Sequence, residues 1–330
     1  MHILITGGAG FLGSLLARTL LQRGSLGGRR IDSILLADLV ESRDDMLRAD
    51  PRVRCVAGEL LAQCAGLMAE PVDAVFHLAS AVSGECEADF DLGLRSNLDS
   101  TRALLDACRA QSGRGGPVPL FFFSSSVAVF GADPVLPLPL TVTDHTLPTP
   151  QSSYGIQKFI CEQLVADYSR KGFIDGRCAR LMTVSVRPGR PNGAASSFLS
   201  GIVREPLAGL EAVCPVAADQ AVALASPATT VAGILAVAEA SREAFGGRTA
   251  LNLPGLTVTV AQMLAALKAI AGEAVVARVR FERDPAIERI VGGWPSSFDS
   301  DRARRLGLAA DPDFRGVIAQ YLEQHPAARG

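Results

Sequence analysis

The sequence predicts an α/β fold: a parallel sheet with helices on both faces, then a smaller mixed α/β part towards the C-terminal end. Three observations predict it. Short apolar runs closed by small or polar residues alternate with amphipathic stretches through the first half. Those runs are apolar throughout instead of alternating with polar residues, as in strands buried on both faces. From about position 190 the texture changes to Gly/Ser/Pro-rich segments with shorter elements.

The first run, HILIT, feeds GGAGFLG and then a helical pattern with Leu12, Leu15, Leu16 and Leu20 on one side. A glycine-rich turn between strand and helix lets the backbone approach a pyrophosphate, whose charge sits at the helix N-terminus. Two triplets fit this turn. Gly8, Gly10 and Gly13 spell G-x-G-x-x-G, whereas Gly7, Gly10 and Gly13 spell G-x-x-G-x-x-G. Phe11 and Leu12 then present their backbone N–H groups to the phosphates. The second run, SILLAD, ends in Asp38, an acid that can hydrogen-bond an adenosine ribose. It lies further from Gly13 than the usual ~20 residues, which matches the insertion RGSLGGRR between helix and strand. Leu39 follows, with no adjacent arginine to take a 2′-phosphate, and this favours NAD over NADP; Arg43 is the nearest such side chain. VRCVAG leads into Glu59 and Leu60, where the acid could reach the adenine amino group or stand as a solvated turn glutamate. AVFHLAS brings Leu78, Ala79 and Ser80 to the place where a chain passes beside a cofactor, with His77 as a packed structural residue. Together these make a Rossmann-like, doubly wound parallel sheet, whose ligands sit at the carboxyl ends of the strands.

A helical stretch carrying Leu98, Leu104 and Leu105 precedes the strand PLFFFSSS. The run PVLPLPLTVTDHTLPTP is extended and loop-like, because its prolines forbid a helix. TPQSSYGIQKFICEQLVADYSRKG forms a helix with Ile156, Phe159, Ile160 and Leu164 on one side and Gly172 as its stop. On that helix Tyr154 and Lys158 are stacked one turn apart. An ammonium beside a phenol, helped by a positively charged nicotinamide ring, lowers the tyrosine pKa and makes it a usable base near neutral pH. A serine at the end of the neighbouring strand can hold the substrate hydroxyl or carbonyl. Further on, VTVAQMLAALKAIAGE is a helix with Val260, Met263, Leu264, Leu267 and Ile270 on one face and Thr259 as N-cap. The division that follows is a nucleotide-binding domain over 1–188, with segments around 220–255 packing back onto it, and a smaller substrate-binding part over 189–330.

Charge and composition narrow the function classes. Lysines and arginines number 32 against 34 acids, and that near balance argues against nucleic acid or an anionic membrane as the main partner. The N-terminus has no basic stretch before its apolar run, and no apolar run approaches the ~18–20 residues of a membrane span. The cysteines (Cys55, Cys64, Cys86, Cys108, Cys161, Cys178 and Cys214) form no C-x-x-C pair, consistent with reduced thiols in a cytoplasmic protein. The four histidines show no ligand spacing, so no metal site is expected.

TGGAGFLG, LAD, HLAS, RSNLDST, SSSVAVFG, YGIQK and VRPG fall in the order shown by the extended short-chain dehydrogenase/reductases, and the chain resembles their nucleoside-diphosphate-sugar epimerase-like branch. That resemblance goes with the Gly7, Gly10, Gly13 spacing and makes Gly8 a permitted small residue. It implies Ser126, Tyr154 and Lys158 as the catalytic triad and Asn97 as the helix asparagine that orders the active site. It also implies Pro188 and Gly189 against the nicotinamide carboxamide of NAD. Dehydratases of the branch carry an Asp-Glu pair after the catalytic Ser/Thr, whereas Val127 and Ala128 stand here. The N-x-Y-G-P-like turn of the epimerases is replaced by VRPGRPNGAASSF, and Phe130 stands for the tyrosine of V-Y-G. Within the branch the chain is most similar to dehydrogenases that oxidise the C2 hydroxyl of a four-carbon sugar acid with NAD. A sugar acid needs donors for its carboxylate, and Arg190, Asn192, Ser196 and Ser197 are the candidates. Trp294 either covers the pocket or fills the C-terminal core. The rival readings are an NAD-dependent nucleoside-diphosphate-sugar 4-epimerase and a nucleotide sensor without catalysis. The resemblance further implies a homodimer built through helices that include the Tyr154 helix, whose apolar residues could equally pack internally.

Overall fold

The computed structural model describes residues 1–189 and 194–325. The chain divides into two compact units. The first comprises Met1–Ser126, Ser152–Arg180 and Val231–Leu251; the second comprises Val127–Gln151, Leu181–Thr230 and Asn252–Gly330. A continuous first domain over 1–188 is thus not what forms. The proline-rich run leaves the first unit after Ser126, and a later stretch returns to it.

The first unit is built on a seven-stranded sheet. Its strands are β1 (His2–Thr6), β2 (Ser33–Asp38), β3 (Val53–Ala57), β4 (Ala74–His77), β5 (Leu120–Ser126), β6 (Asp175–Leu181) and β7 (Leu251–Asn252). They lie in the order β7-β6-β5-β4-β1-β2-β3. β1 pairs in parallel with β2 and β4, β2 with β3, and β4 with β5. The order reverses beside β1, which opens a crevice at the carboxyl ends of the strands. The apolar runs account for this. All of β4 and nearly all of β1 and β5 are buried, whereas the edge strand β3 is half open to solvent. In register, Thr6 lies opposite Ala37 and His77, and His77 opposite Phe123. Gly7, Asp38, Leu78 and Ser124–Ser126 therefore all emerge at one end.

The helices of this unit that bear on the site are α1 (Phe11–Arg23), α2 (Leu60–Leu67), α3 (Ser83–Ala88), α4 (Ser100–Gly113) and α5 (Ser153–Arg170). The insertion RGSLGGRR forms a small antiparallel hairpin, Ser25–Leu26 with Arg29–Arg30. α5 starts where Ser152 accepts from the Gly155 N–H at 3.1 Å and gives way to Gly172 at φ 75°. The side it buries is not the Ile156–Ile160 side. Gln157, Lys158, Cys161, Glu162 and Val165 point inward, whereas Ile156 and Ile160 are 46% and 39% exposed.

The second unit has a core of its own around α6 (Phe198–Leu207), α7 (Val260–Ala271) and α8 (Phe314–Gln324). Thr259 caps α7 as expected, and Gln262 completes a reciprocal capping box. Val260, Met263 and Leu267 are buried with Leu199, Ile202 and Ile318, and Trp294 packs against this cluster, taking the core-filling alternative. The proline-rich run is non-helical apart from one short 3₁₀ turn before it; its Val142–Thr143 pairs with Phe298–Asp299. No helix among the described residues is long and apolar enough to cross a membrane.

Candidate active site

The glycine turn is packed so closely that side chains are excluded. Gly7 has φ 70°, and a Cβ there would stand 2.8 Å from the Ala79 nitrogen. A Cβ at Gly13 would stand 2.2 Å from the Gly7 carbonyl oxygen. Gly8 is equally constrained, 2.8 Å from the Leu36 Cβ, so it is required by packing and is more than a permitted small residue. Gly10 is the least crowded, at 3.2 Å. It caps α1 without a side chain, and the first turn of α1 carries no acid. The backbone N–H groups of Phe11 and Leu12 thus open the helix with no intrahelical partner. This cradle fits a pyrophosphate, by steric form and by sign of charge.

Asp38 is held at the same place. Its Oδ2 accepts from the Ala9 and Gly10 N–H groups at 3.0 and 3.2 Å, and its Oδ1 from Leu39 N–H at 2.7 Å. A carboxylate has about four acceptor positions, so capacity remains for a ribose hydroxyl. Leu39, the residue that follows it, is 69% exposed. Glu59 is exposed at the N-cap of α2, without capping it, and Leu60 follows as the first helical residue.

Beyond β4 the chain is tied down at every step. Leu78 N–H donates to the Thr6 carbonyl (3.1 Å) and Ala79 N–H to Thr6 Oγ1 (3.3 Å). Ser80 Oγ and Ala81 N–H donate to Asn97 Oδ1 at 3.0 and 2.8 Å. Asn97 lies on a π-helical turn, Leu94–Asp99, ahead of α4, a distortion frequent at functional sites. Because Ala81 N–H can only donate, the Asn97 amide is oriented unambiguously. Its Nδ2 therefore faces Gln157 Oε1 at 2.8 Å. His77 is fully buried between Thr6 Oγ1 (2.6 Å) and Thr101 Oγ1 (2.8 Å). Burial, with the Lys158 charge nearby, pushes its pKa down to about 3, so it stays neutral, as a structural histidine should.

Ser126 ends β5, Tyr154 is half-buried in the first turn of α5, and Lys158 is buried one turn later. Lys158 Nζ donates to the Ser124 carbonyl at 2.9 Å. It lies 4.9 Å from the Phe123 ring centroid and 5.6 Å from that of Tyr154, within cation–π range of both. Burial lowers its pKa from 10.5 to about 8. The ammonium thus stands beside the Tyr154 ring, one helical turn along α5. What the sequence reading missed is the buried polar layer beneath it: Gln157, Glu162, Arg180 and Ser125. The available signal was Glu162 in KFICEQLV and Arg180 in RCARLM, charges set among apolar neighbours.

In the second unit Pro188 is half-buried and Gly189 has φ 83°. Ser196 and Ser197 precede α6, with Ser197 N–H donating to the Ala194 carbonyl at 2.9 Å. Arg190 and Asn192 lie outside the described residues.

Comparison with known proteins agrees with this geometry. Residues 3–246 match the NAD dependent epimerase/dehydratase family, and the chain belongs to it; it is an NAD-dependent enzyme of that family. Among individual relatives, it is 50% identical to D-erythronate dehydrogenase of Cupriavidus necator, over 100% of both chains. It is 45% identical to D-erythronate dehydrogenase of Haemophilus influenzae, over 98% of this chain and 99% of the other. The solved structure of a nucleoside-diphosphate-sugar epimerase from Agrobacterium tumefaciens superposes with a TM-score of 0.91 at 42% identity, covering 99% of this chain and 95% of that one. L-threonine 3-dehydrogenase from Trypanosoma brucei shares the fold, with a TM-score of 0.84 at 24% identity over 99% and 98%.

Proposed function

We propose that the protein oxidises the C2 hydroxyl of D-erythronate to 2-oxo-D-erythronate (2-dehydro-D-erythronate) with NAD. One observation carries the chemistry: Tyr154 and the buried Lys158 share a face of α5, with Lys158 anchored on the Ser124 carbonyl. The substrate follows from full-length identity of 50% and 45% to two D-erythronate dehydrogenases.

In this reading Ser126 orients the alcohol and Tyr154 takes its proton. Lys158, charged, stabilises the phenolate that accepts it and would hold the nicotinamide ribose. The bound NAD supplies the hydride acceptor for C2. Gly7, Gly10, Phe11, Leu12 and Gly13 would hold the pyrophosphate, Asp38 the ribose, and Glu59 and Leu60 the adenine. Leu78, Ala79 and Ser80 would line the cofactor's path, with Asn97 ordering them and Pro188 meeting the carboxamide. Arg190, Asn192 and Ser197 would bind the sugar acid. We assign the protein to the cytoplasm, where its free cysteines, Cys55 aside all buried, stay reduced. We also assign a homodimer, formed over the exposed Ile156 and Ile160 of α5 together with Phe90, which is 61% exposed.

The test is NADH formation from NAD and D-erythronate. Steady NADH release supports the dehydrogenase. No NADH release, together with isomerisation of a nucleoside-diphosphate sugar, would replace it with the 4-epimerase, which the full-length relatives do not favour.

A further inference from the structure

One turn beyond Lys158 on α5, Glu162 is 1% exposed and ion-paired. Arg180 on β6 donates through Nε to Oε1 at 2.8 Å and through a terminal nitrogen to Oε2 at 2.7 Å. Ser125 Oγ, on β5, donates to Oε1 at 2.5 Å. Three elements thus meet on one carboxylate, and two consecutive residues of β5 are tied to α5. Ser124 is held through its carbonyl by Lys158, and Ser125 through its hydroxyl by Glu162. The next residue is Ser126.

Stability does not explain such a cluster, because a buried ion pair roughly breaks even against apolar residues of similar volume. Charge does. The titratable groups acting on the Lys158 ammonium are the thiols of Cys86 on α3, Cys161 on α5 and Cys178 on β6, the His77 imidazole on β4, and the Glu162 carboxylate. Arg180 is ion-paired with Glu162, and the Tyr154 ring centroid lies 5.6 Å from the ammonium. Burial pushes all three thiols up and the imidazole down, so near neutral pH none of the four is charged. Glu162, ion-paired to Arg180, is the acid that acts to raise the Lys158 pKa.

We propose that Glu162 is a positioning residue for the Tyr154–Lys158 pair, bracing the end of β5 against α5 and supplying the counter-charge that keeps Lys158 an ammonium. The inference rests on Tyr154 as the base, but it does not depend on which alcohol is oxidised.

The experiment is ultraviolet titration of the Tyr154 phenolate in the NAD-loaded enzyme, taken as the difference from a matched Tyr154→Phe protein. It needs no substrate. Glu162 stands one helical turn from Lys158 and two from Tyr154, so its loss acts on the phenol mainly through the ammonium. In Glu162→Gln the Tyr154 midpoint is expected to rise by about one pH unit or more. In Ser125→Ala, which keeps the charge and loses one hydrogen bond, a smaller rise in the same direction is expected. Midpoints equal to wild type in both folded variants would overturn the proposal and leave Glu162 purely structural. If Glu162→Gln does not fold, Ser125→Ala decides alone by the same criterion. A shifted midpoint in an enzyme inert towards D-erythronate would support the brace and refute the substrate assignment separately.

Discussion

Two helices of similar regularity bury opposite kinds of side chain. α7, in the second unit, turns Val260, Met263, Ala266 and Leu267 inward, most of the face its apolar periodicity announces, with Ile270 at its end 37% exposed. α5, in the first, turns Gln157, Lys158 and Glu162 inward and leaves Ile156 and Ile160 exposed. The difference is one of task. α7 gains by removing apolar area from water, whereas α5 spends its buried face on groups whose hydrogen bonds and charges hold the site. Such groups are tolerable inside only when paired. Lys158 meets the Ser124 carbonyl, Glu162 meets Arg180 and Ser125, and the Gln157 oxygen meets Asn97.

Substitutions on the two helices should separate these tasks. The largest effect is expected from Tyr154→Phe, which should lower turnover by at least about a hundredfold with NAD affinity, measured by calorimetric titration, nearly unchanged. Retained turnover would remove the base from α5 and much of the contrast with it. Leu267→Ala on α7 should cost about 2–5 kcal/mol in denaturant unfolding while the pH profile of the folded enzyme stays in place. A moved profile would show that the apolar core reaches the site chemistry.

The polar layer should also reveal itself through pH. The folded-state pKa of His77 is depressed from 6.5 to about 3, so between those values the unfolded chain binds more protons. Stability from this group is therefore complete above about pH 6.5 and is lost as pH falls towards 3. Melting curves should show wild type losing more stability than His77→Gln over that window, and parallel curves would refute it. Gly13→Ala should destabilise by about 1–3 kcal/mol through overpacking and weaken NAD binding, because the new Cβ meets the Gly7 carbonyl. The smallest effect is expected at the surface of α5 itself. Arg170→Ala breaks an exposed ion pair with Asp167 and should change stability by less than about 1 kcal/mol.

Much of the fold and site was legible because the features responsible are local. Continuous apolar runs marked the buried strands, Thr259 marked the start of α7, and the glycine spacing with Asp38 marked the nucleotide end of the sheet. Other features were not. RSNLDST reads as ordinary helix, yet it carries a π-helical turn at Asn97. Periodicity counts apolar residues, so it grouped Ile156, Phe159, Ile160 and Leu164 on one side of α5 without deciding whether that side packs internally or against a second copy.

By itself, then, the sequence determined what depends on neighbours along the chain: strand and helix positions, their caps, the glycine turn, and the one-turn spacing of Tyr154 and Lys158. Only the tertiary structure decided which face of α5 goes inside and what each buried polar group meets there. The physical reason is distance along the chain. Asn97 and Gln157 are 60 residues apart, Ser125 and Glu162 are 37, and His77 reaches Thr6 across 71. A buried amide or carboxylate is stable only when such a partner arrives, and no local pattern records that arrival.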